Sequence, residues 1–186
     1  MKNRVAWIVV GLLAVSMNGW SDSQPHSDNI SRVVAKVRSW STDPELVAAV
    51  KRANTSGQTL EEVKAIDKEW QAYDGVSDFM QSLMINDAAQ ELAMLERSED
   101  YFIELFLMDH HGSNVAMTNK TSDYWQGDEA KFKKTYPLGT SAVYVSEVEY
   151  DESVDGYVVQ VSVPIIDGNT NVGALTVGVN LDEFDD

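Results

Sequence analysis

The sequence changes its pattern at Tyr101, where it reads YFIELFLMD over residues 101–109, HHGS over 110–113 and NVAMT over 114–118. Aromatic and branched apolar residues dominate the first of these segments, a composition typical of β-strands, and the third is the returning strand. Gly112 lies between them and tolerates the positive φ angle that a tight turn requires. This stretch therefore predicts a β-hairpin with strands over 101–109 and 114–118.

Three further strands are predicted after this hairpin, over residues 142–150, 157–166 and 172–181. The connections over 151–156 and 167–171 are rich in Asp, Gly and Asn, as hairpin loops are. Residues 119–127 form a polar loop in this prediction, and residues 128–136 form a short helix. The second half of the chain is thus expected to form a five-stranded antiparallel sheet.

Helical periodicity dominates before Tyr101, with apolar residues at steps of three and four over 30–52, 60–74 and 77–97. Pro44 in the sequence TDPE marks a helix start, and Thr59 with Glu62 forms a capping box. Residues 22–29 are polar and expected to be disordered. Helices first and antiparallel strands second predict an α+β fold with N-terminal helices packed on the sheet.

The N-terminus has the three parts of a secretory signal peptide. Lys2 and Arg4 precede an apolar run over residues 5–17, and small or polar residues follow, so cleavage is expected near Gly19 or Ser21. The run is shorter than the roughly 20 residues that a membrane span needs. We expect export to the periplasm, with an uncleaved anchor as the alternative. The predicted organisation is a signal peptide over 1–21, a polar and helical segment over 22–57 and one domain over 58–186.

The composition argues against several classes of function. The chain carries a formal net charge of −16, so it should repel nucleic-acid phosphates, and nucleic acid is not an expected partner. The chain has no cysteine, which excludes thiol catalysis, zinc–thiolate sites, iron–sulfur clusters and a cysteine-linked lipid anchor. No sequence motif indicates a bound cofactor, and none is expected.

Several segments in order resemble one family. The sequences FLMD over 106–109 and NVA over 114–116, TSDYWQGDEAK over 121–131, QVSVP over 160–164 and GALTVG over 173–178 resemble the extracellular PAS-like sensor domains called Cache or PDC domains. The resemblance covers roughly residues 60 to 182. It implies a PAS-like five-stranded sheet that binds a small molecule under the loop after the second strand.

The same resemblance indicates which kinds of partner to expect. Most relatives continue from the last strand into a membrane span and a signalling module, whereas this sequence reads LDEFDD over 181–186 and stops. We therefore expect a stand-alone sensor domain that signals through a separate membrane receptor, histidine kinase or transporter. Homodimerisation through the N-terminal helices is a further expectation.

The resemblance also assigns the candidate ligand-binding residues. The loop and short helix supply aromatic and polar groups, and the strands supply apolar walls. The candidates are Asp123, Tyr124, Trp125, Gln126, Asp128, Lys131, Tyr144, Phe106, Met108 and Met117. Tyr124 and Trp125 could equally anchor the loop, and the strand residues could equally be core. Acidity suggests a cationic ligand, but Lys131, Lys133 and Lys134 would equally suit a carboxylate.

No metal site is predicted. His110 and His111 are adjacent, and neighbouring side chains of a strand point to opposite faces, so they would not share an ion. The segment DESVDG over 151–156 resembles the start of a calcium loop, but its twelfth position is Ser162 instead of Glu, and no helices flank it. It is better explained as a hairpin turn.

No catalytic motif is present, so we expect the chain not to be an enzyme. Two alternatives to the sensor remain open. The first is a ligand-free protein–protein interaction module of the cell envelope, which would use the helices before Gly75 as its partner surface. The second is a hydrolase that uses paired carboxylates, which are too abundant here for any pair to be chosen from sequence.

Overall fold

The structure is a computed structural model that describes residues 24–152 and 154–184, with the backbone alone for residues 24–27. The predicted signal peptide lies outside the described residues. The α-helices of the described residues are α1 (Gln24–Ser39), α2 (Pro44–Asn54), α3 (Leu60–Ala72), α4 (Asp78–Ile85), α5 (Asp87–Glu96) and α6 (Ala130–Lys133). Short 3₁₀ turns occupy Trp40–Thr42, Tyr136–Leu138 and Leu181–Phe184.

The strands form one antiparallel sheet. They are β1 (Phe102–Met108), β2 (Asn114–Met117), β3 (Tyr144–Val145), β4 (Glu149–Asp151), β5 (Gly156–Asp167) and β6 (Thr170–Asn180). The strand order is β2-β1-β6-β5-β3, and β4 also pairs with β5. The predicted α+β class and the order of helices before strands are confirmed, as are the hairpin at Gly112, which has φ 84°, and the loop that connects β5 to β6.

The helix starts form where the sequence predicts them. The Asp43 side chain accepts hydrogen bonds from the backbone N–H groups of Glu45 and Leu46, at 2.9 and 3.1 Å, and Pro44 occupies the first turn of α2. Thr59 and Glu62 form the capping box of α3, in which each side chain accepts from the other residue's backbone N–H. Such caps satisfy N–H groups that a helix leaves unpaired, which fixes where each helix begins.

One face of the sheet, called the helix-side face here, packs against α1, α2 and α5. Strand residues such as Leu105, Leu107 and Val177 are fully buried against Val37 of α1 and Leu46 of α2. The alternation of side chains along each strand brings these residues to the same face. This contiguous aliphatic core joins the N-terminal helices to the sheet.

The opposite face, called the loop-side face here, has a smaller core under α3, α4 and the segment over 121–136. Phe106, Met108 and Met117 of the sheet pack there with Val63 and Trp70 of α3. The helices on both sides of residue 57 thus contact the same sheet. The division of the chain into a 22–57 segment and a 58–186 domain remains a prediction.

The sheet has six strands instead of the five predicted, because the expected strand over 142–150 is interrupted. Ser146 lies at the break, where its side-chain Oγ accepts a hydrogen bond from the backbone N–H of Gln160 at 2.9 Å. The Ser146 N–H still donates to the Gln160 carbonyl. A side-chain oxygen thus replaces a backbone carbonyl in the ladder, and the edge is divided into β3 and β4.

Three helix boundaries also differ from the prediction. The helix expected over 77–97 is divided at Asn86, whose extended backbone starts α5 and whose side chain accepts from the N–H of Ala89 and donates to the Val115 carbonyl. The first helix begins at Gln24, within the stretch that was expected to be disordered. The helix predicted over 128–136 is reduced to α6 and the 3₁₀ turn Tyr136–Leu138.

Within the part of the chain that the structure describes, no helix combines the length and apolar character needed to cross a membrane.

Candidate ligand-binding site

A cavity of about 470 Å³ lies on the loop-side face of the sheet. Its floor is formed by Glu104 of β1, Gln160 of β5 and Gly178 of β6, which are direct neighbours across the strands. One wall is the start of α6, and the other wall is the broken edge formed by β3 and β4. Cavities of this size in proteins accommodate small organic ligands.

The floor carries a carboxylate and an amide, whereas its neighbours on this face are apolar or, as with Ser162 and Thr176, hydroxyl groups that pair with each other. Along β1, Met108 and Phe106 are buried in the loop-side core, and the next residue on the same face is Glu104. Gly178 makes room for the Glu104 side chain, since a Cβ atom at position 178 would lie 2.5 Å from Glu104 Cγ. The missing side chain at Gly178 therefore allows a carboxylate to lie along the sheet.

Glu104 is held by one defined hydrogen bond, in which Gln160 Nε2 donates to Glu104 Oε1 at 3.1 Å. Burial raises the pKa of Glu104, and the carboxylates of Asp151 and Glu96 raise it further. The Gln160 hydrogen bond and the positive charge of Lys131 act in the opposite direction. The cavity thus contains a carboxyl group whose ionised form is penalised by its surroundings.

Lys131 lines the cavity but is committed to protein partners. Its Nζ atom lies 2.9 Å from Glu129 Oε2 and 3.1 Å from Gln126 Oε1, and 5.3 Å from the centroid of the Phe106 ring. Its side chain is 13% exposed. These contacts balance the lysine charge inside the protein and hold α6 against the sheet.

The loop predicted to cover the ligand is tied to α3. Asp67 Oδ1 accepts hydrogen bonds from the backbone N–H groups of Tyr124 and Trp125, at 2.9 and 3.0 Å. The indole N–H of Trp70 donates to the Thr121 carbonyl at 2.9 Å. These bonds place the loop over the apolar half of the loop-side face.

The side chains of this loop follow the same pattern. The ring of Tyr124 is buried against Trp70 and Phe79, and burial raises the pKa of its hydroxyl. Trp125 donates its indole N–H to the His111 carbonyl at 2.8 Å, and Lys64 Nζ lies 4.4 Å from its ring centroid. Both rings contact protein groups of the loop-side core and the first hairpin.

The remaining candidates lie as follows. Asp123 accepts a hydrogen bond from Gln71 of α3 at 2.6 Å, and the buried Gln126 donates to the Asp123 carbonyl at 2.8 Å. Asp128 is exposed, while Phe106, Met108 and Met117 are buried core. Of the ten predicted residues, Lys131 and Tyr144 line the cavity. The ligand contacts of the whole set remain a prediction.

Sequence reasoning missed Glu104, Gln160 and Gly178. A signal was present for two of them, since Glu104 interrupts the apolar run YFIELFLM and Gln160 interrupts VVQVSV. A charged or amide side chain inside such a strand must find a polar environment in the fold. Gly178 gives no comparable signal, because its role depends on the residue opposite it in β1.

The rings of His110 and His111 lie side by side, whereas neighbouring side chains of a strand would point to opposite faces. Their ring centroids lie 3.8 Å apart, because they occupy a turn in which side chains do not alternate as they do in a strand. His110 Nδ1 is 2.7 Å from Asn54 Oδ1, and burial lowers the pKa of His110. Among the described residues, no group of three or more His, Cys, Asp or Glu side chains is placed to hold a metal ion.

No protein family model and no curated protein sequence matches the chain. Solved structures do. The sensor domain of the histidine kinase DctB from V. cholerae is 14% identical with a TM-score of 0.46, and the match covers 87% of this chain and 54% of that one. The sensory domain of the Campylobacter jejuni chemoreceptor Tlp3 is 14% identical with a TM-score of 0.42, over 86% and 65%.

A third match is the ligand-binding domain of the Pseudomonas aeruginosa amino acid chemoreceptor PctC in complex with GABA, at 12% identity and a TM-score of 0.38, over 87% of this chain and 63% of that one. These are sensor domains of the Cache class. That is the class that the sequence resembles. This chain spans less than two thirds of each matched chain.

Proposed function

We propose that the chain is a sensor domain that binds a small molecule in the cavity over Glu104 and Gln160. The observation that carries the proposal is the cavity itself, which lies on the sheet of an α+β fold. Its floor places a carboxylate and an amide at positions whose directly flanking residues in the strands are apolar. Placed polar groups in a concave site give a ligand its orientation.

We also propose that the domain works in the periplasm and that it signals through a separate membrane partner. The N-terminal pattern of a basic start, a short apolar run and small residues supports export to the periplasm. A separate membrane receptor, histidine kinase or transporter would then read the bound state. Ligand binding would bias the position of the segment over 129–131, which forms the cavity wall, and a partner could detect that shift.

The loop has one part that is attached to α3 and another part that faces the cavity. Residues 121–125 are bonded to α3, whereas Glu129, Ala130 and Lys131 face the cavity. We infer that the 129–131 segment moves on binding and that the 121–125 segment stays on α3. Alanine at Asp123 or Trp125 should therefore lower loop stability, and ligand affinity measured on the same variants tests whether these two residues also contact the ligand.

The test is a thermal-shift screen of the purified chain against amino acids, amines, carboxylates, nucleobases and divalent ions. A ligand at a hundred times its dissociation constant stabilises a protein by about 2.7 kcal/mol. For a domain of this size, that free energy corresponds to a shift of roughly 5 to 10 °C. A saturable shift with one compound class supports the proposal. A flat screen with a well-folded sample that carries no co-purified molecule contradicts it.

The interaction module is the second candidate, and one observation favours it. Tyr73, Val76 and Phe79 are about half exposed beside a groove of about 260 Å³ that is lined by Trp70 and Met80. The apolar faces of α1 and α2 pack in the helix-side core, so a dimer through these helices would use their polar faces. Light scattering measures the oligomeric state of wild type and Phe79→Lys at matched concentrations, and so tests whether the chain associates through this groove.

The hydrolase is the third candidate, favoured by the raised pKa of Glu104 in a cavity with other carboxylates. A raised pKa favours the protonated carboxyl group that a general acid requires. A panel of ester, amide and glycoside substrates would test this function. Turnover that disappears in Glu104→Gln would replace the sensor proposal.

A further inference from the structure

Two ligand chemistries fit the sequence near the cavity, a cation drawn by the acidic residues or a carboxylate drawn by Lys131, Lys133 and Lys134. The structure places these three lysines differently. Lys131 is bonded to Glu129 and Gln126. Lys134 lies with its Nζ 4.9 Å from the Tyr144 ring centroid, outside the cavity lining, and Lys133 is exposed and also outside that lining.

A ligand carboxylate would therefore have to compete with protein groups for Lys131. The lysine side chain of its ion pair with Glu129 is 13% exposed, and the Glu129 side chain is 35% exposed. Breaking that pair would leave Glu129 without its partner in a partly buried position, which costs free energy. The cavity thus offers an incoming anion no uncommitted positive charge among the described residues.

An incoming cation meets the opposite situation. Besides Glu129, the lining contains the carboxylates of Glu104, Glu149, Asp151 and Glu152. Glu104 lies on the floor, with its Oε1 atom held by Gln160, so its carboxylate has a fixed position. A positive charge placed against it would offset the repulsion that Asp151 and Glu96 exert on its ionised form.

The walls are also suited to a cation that carries carbon. Tyr144 and Tyr150 both line the cavity, and the ring of Tyr144 already has the ammonium group of Lys134 nearby. Aromatic faces attract ammonium groups, because the ring face is the negative part of its quadrupole. The volume of about 470 Å³ is also far larger than a bare metal ion would need.

We propose that the cavity binds an organic amine in its protonated form, with the ammonium group against Glu104 and the carbon chain between Tyr144 and Tyr150. This inference rests on the proposed sensor function and names its ligand class. Glu104 acts as the specificity-determining residue, since it distinguishes a cation from a neutral or anionic molecule of the same shape.

The test uses two sets of probes matched in shape and different in charge. The aliphatic set is 1,4-diaminobutane, butane-1,4-diol, butanedioate and 4-aminobutanoate, and the aromatic set is 2-phenylethylamine, 2-phenylethanol and 3-phenylpropanoate. Isothermal titration at pH 7 measures each affinity for the purified chain. We expect an amine of at least one set to bind saturably, and its neutral and anionic counterparts to bind at least tenfold more weakly.

Three variants assign the binding to the floor of the cavity. Glu104→Gln should weaken amine affinity at least tenfold, and Glu104→Asp should weaken it less because the charge is kept. Glu61→Gln is the matched control, since Glu61 is an exposed residue of α3 outside the cavity, and it should bind as wild type does. Circular dichroism checks that each variant is folded. If Glu104→Gln does not fold, the affinity of Glu104→Asp for the amine provides the test.

Lys131→Met separates the two chemistries. Amine affinity should not fall in this variant, because a nearby positive charge is removed, whereas affinity for a carboxylate held by Lys131 would be lost. Tighter binding of butanedioate or 3-phenylpropanoate than of the amines overturns the ligand class and leaves the sensor function standing. Amine affinity that is equal in Glu104→Gln and Glu61→Gln also overturns the inference. Failure of every probe here and of the broader screen contradicts both proposals.

Discussion

On the helix-side face of the sheet, Leu105, Leu107 and Val177 are fully buried in one apolar core with residues of the helices. On the loop-side face, the same strands carry Phe106 in a core at one end and Glu104 in a cavity at the other. The two faces alternate residue by residue along β1 from Glu104 to Met108. The difference teaches that one face holds the fold together and that the other is free to carry a polar site.

The largest effect is expected from truncation on the helix-side face. Leu107→Ala removes a fully buried side chain and leaves a cavity, so unfolding free energy should fall by about 2 to 5 kcal/mol. Urea denaturation measures the change. Leu60→Ala is the control, because Leu60 is 38% exposed, and its loss should be small. A Leu107→Ala loss below about 1 kcal/mol would break the distinction between the faces.

Two glycines of β6 sharpen the comparison. A Cβ at Gly173 would contact the backbone carbonyl of Met108 and Val50 of α2, which cannot easily move, whereas a Cβ at Gly178 would contact the Glu104 side chain. Gly173→Ala should therefore cost about 1 to 3 kcal/mol, and Gly178→Ala should cost less. Chemical denaturation of both variants checks the order. Equal losses would show that the loop-side floor is as tightly packed as the helix side.

The attachment of the loop to α3 should have an intermediate effect. Asp67→Ala removes the acceptor of two backbone N–H groups, so we expect a loss of about 1 to 2 kcal/mol and faster amide exchange at Tyr124 and Trp125. Asp67→Asn keeps an acceptor oxygen and should lose less. Unchanged exchange rates in Asp67→Ala would mean that the rings of the loop-side core, and not Asp67, hold the loop.

The smallest effect concerns the dependence of stability on pH. The pKa of Glu104 is raised in the folded chain, mainly by burial and also by Asp151 and Glu96, against the effects of Gln160 and Lys131. The folded state therefore binds this proton more tightly than the unfolded state does. As pH rises from the ordinary glutamate pKa of 4.5 through the raised value, the contribution of Glu104 to stability falls.

The comparison of wild type with Glu104→Gln isolates this contribution. Relative to wild type, the variant should gain stability between acidic and neutral pH, since glutamine cannot ionise. Thermal melts from pH 4 to pH 7 measure the difference, with Glu61→Gln as the control. A difference that does not change with pH would show that Glu104 is solvated like a surface carboxylate and would weaken the account of the polar floor.

Much of this fold could be predicted because the deciding interactions are local. Asp43, Thr59 and Gly112 act on N–H groups or backbone angles within a few residues, so their roles are visible in the sequence. The strand patterns of β1, β5 and β6 are local too. The break in the 142–150 strand could not be predicted, because it depends on the pairing of Ser146 with Gln160, 14 residues away.

The candidate site shows the same division more sharply. By itself, the sequence determined that helices precede an antiparallel sheet, that helix starts lie at Asp43 and Thr59, and that the first hairpin turns at Gly112. Only the tertiary structure decided that Tyr124 and Trp125 lie on Asp67, 57 and 58 residues earlier, while Glu104 and Gln160 meet across 56 residues to form a cavity floor. The physical reason is that strand order and register bring these groups together, and no local pattern encodes which distant strand or helix will lie beside them.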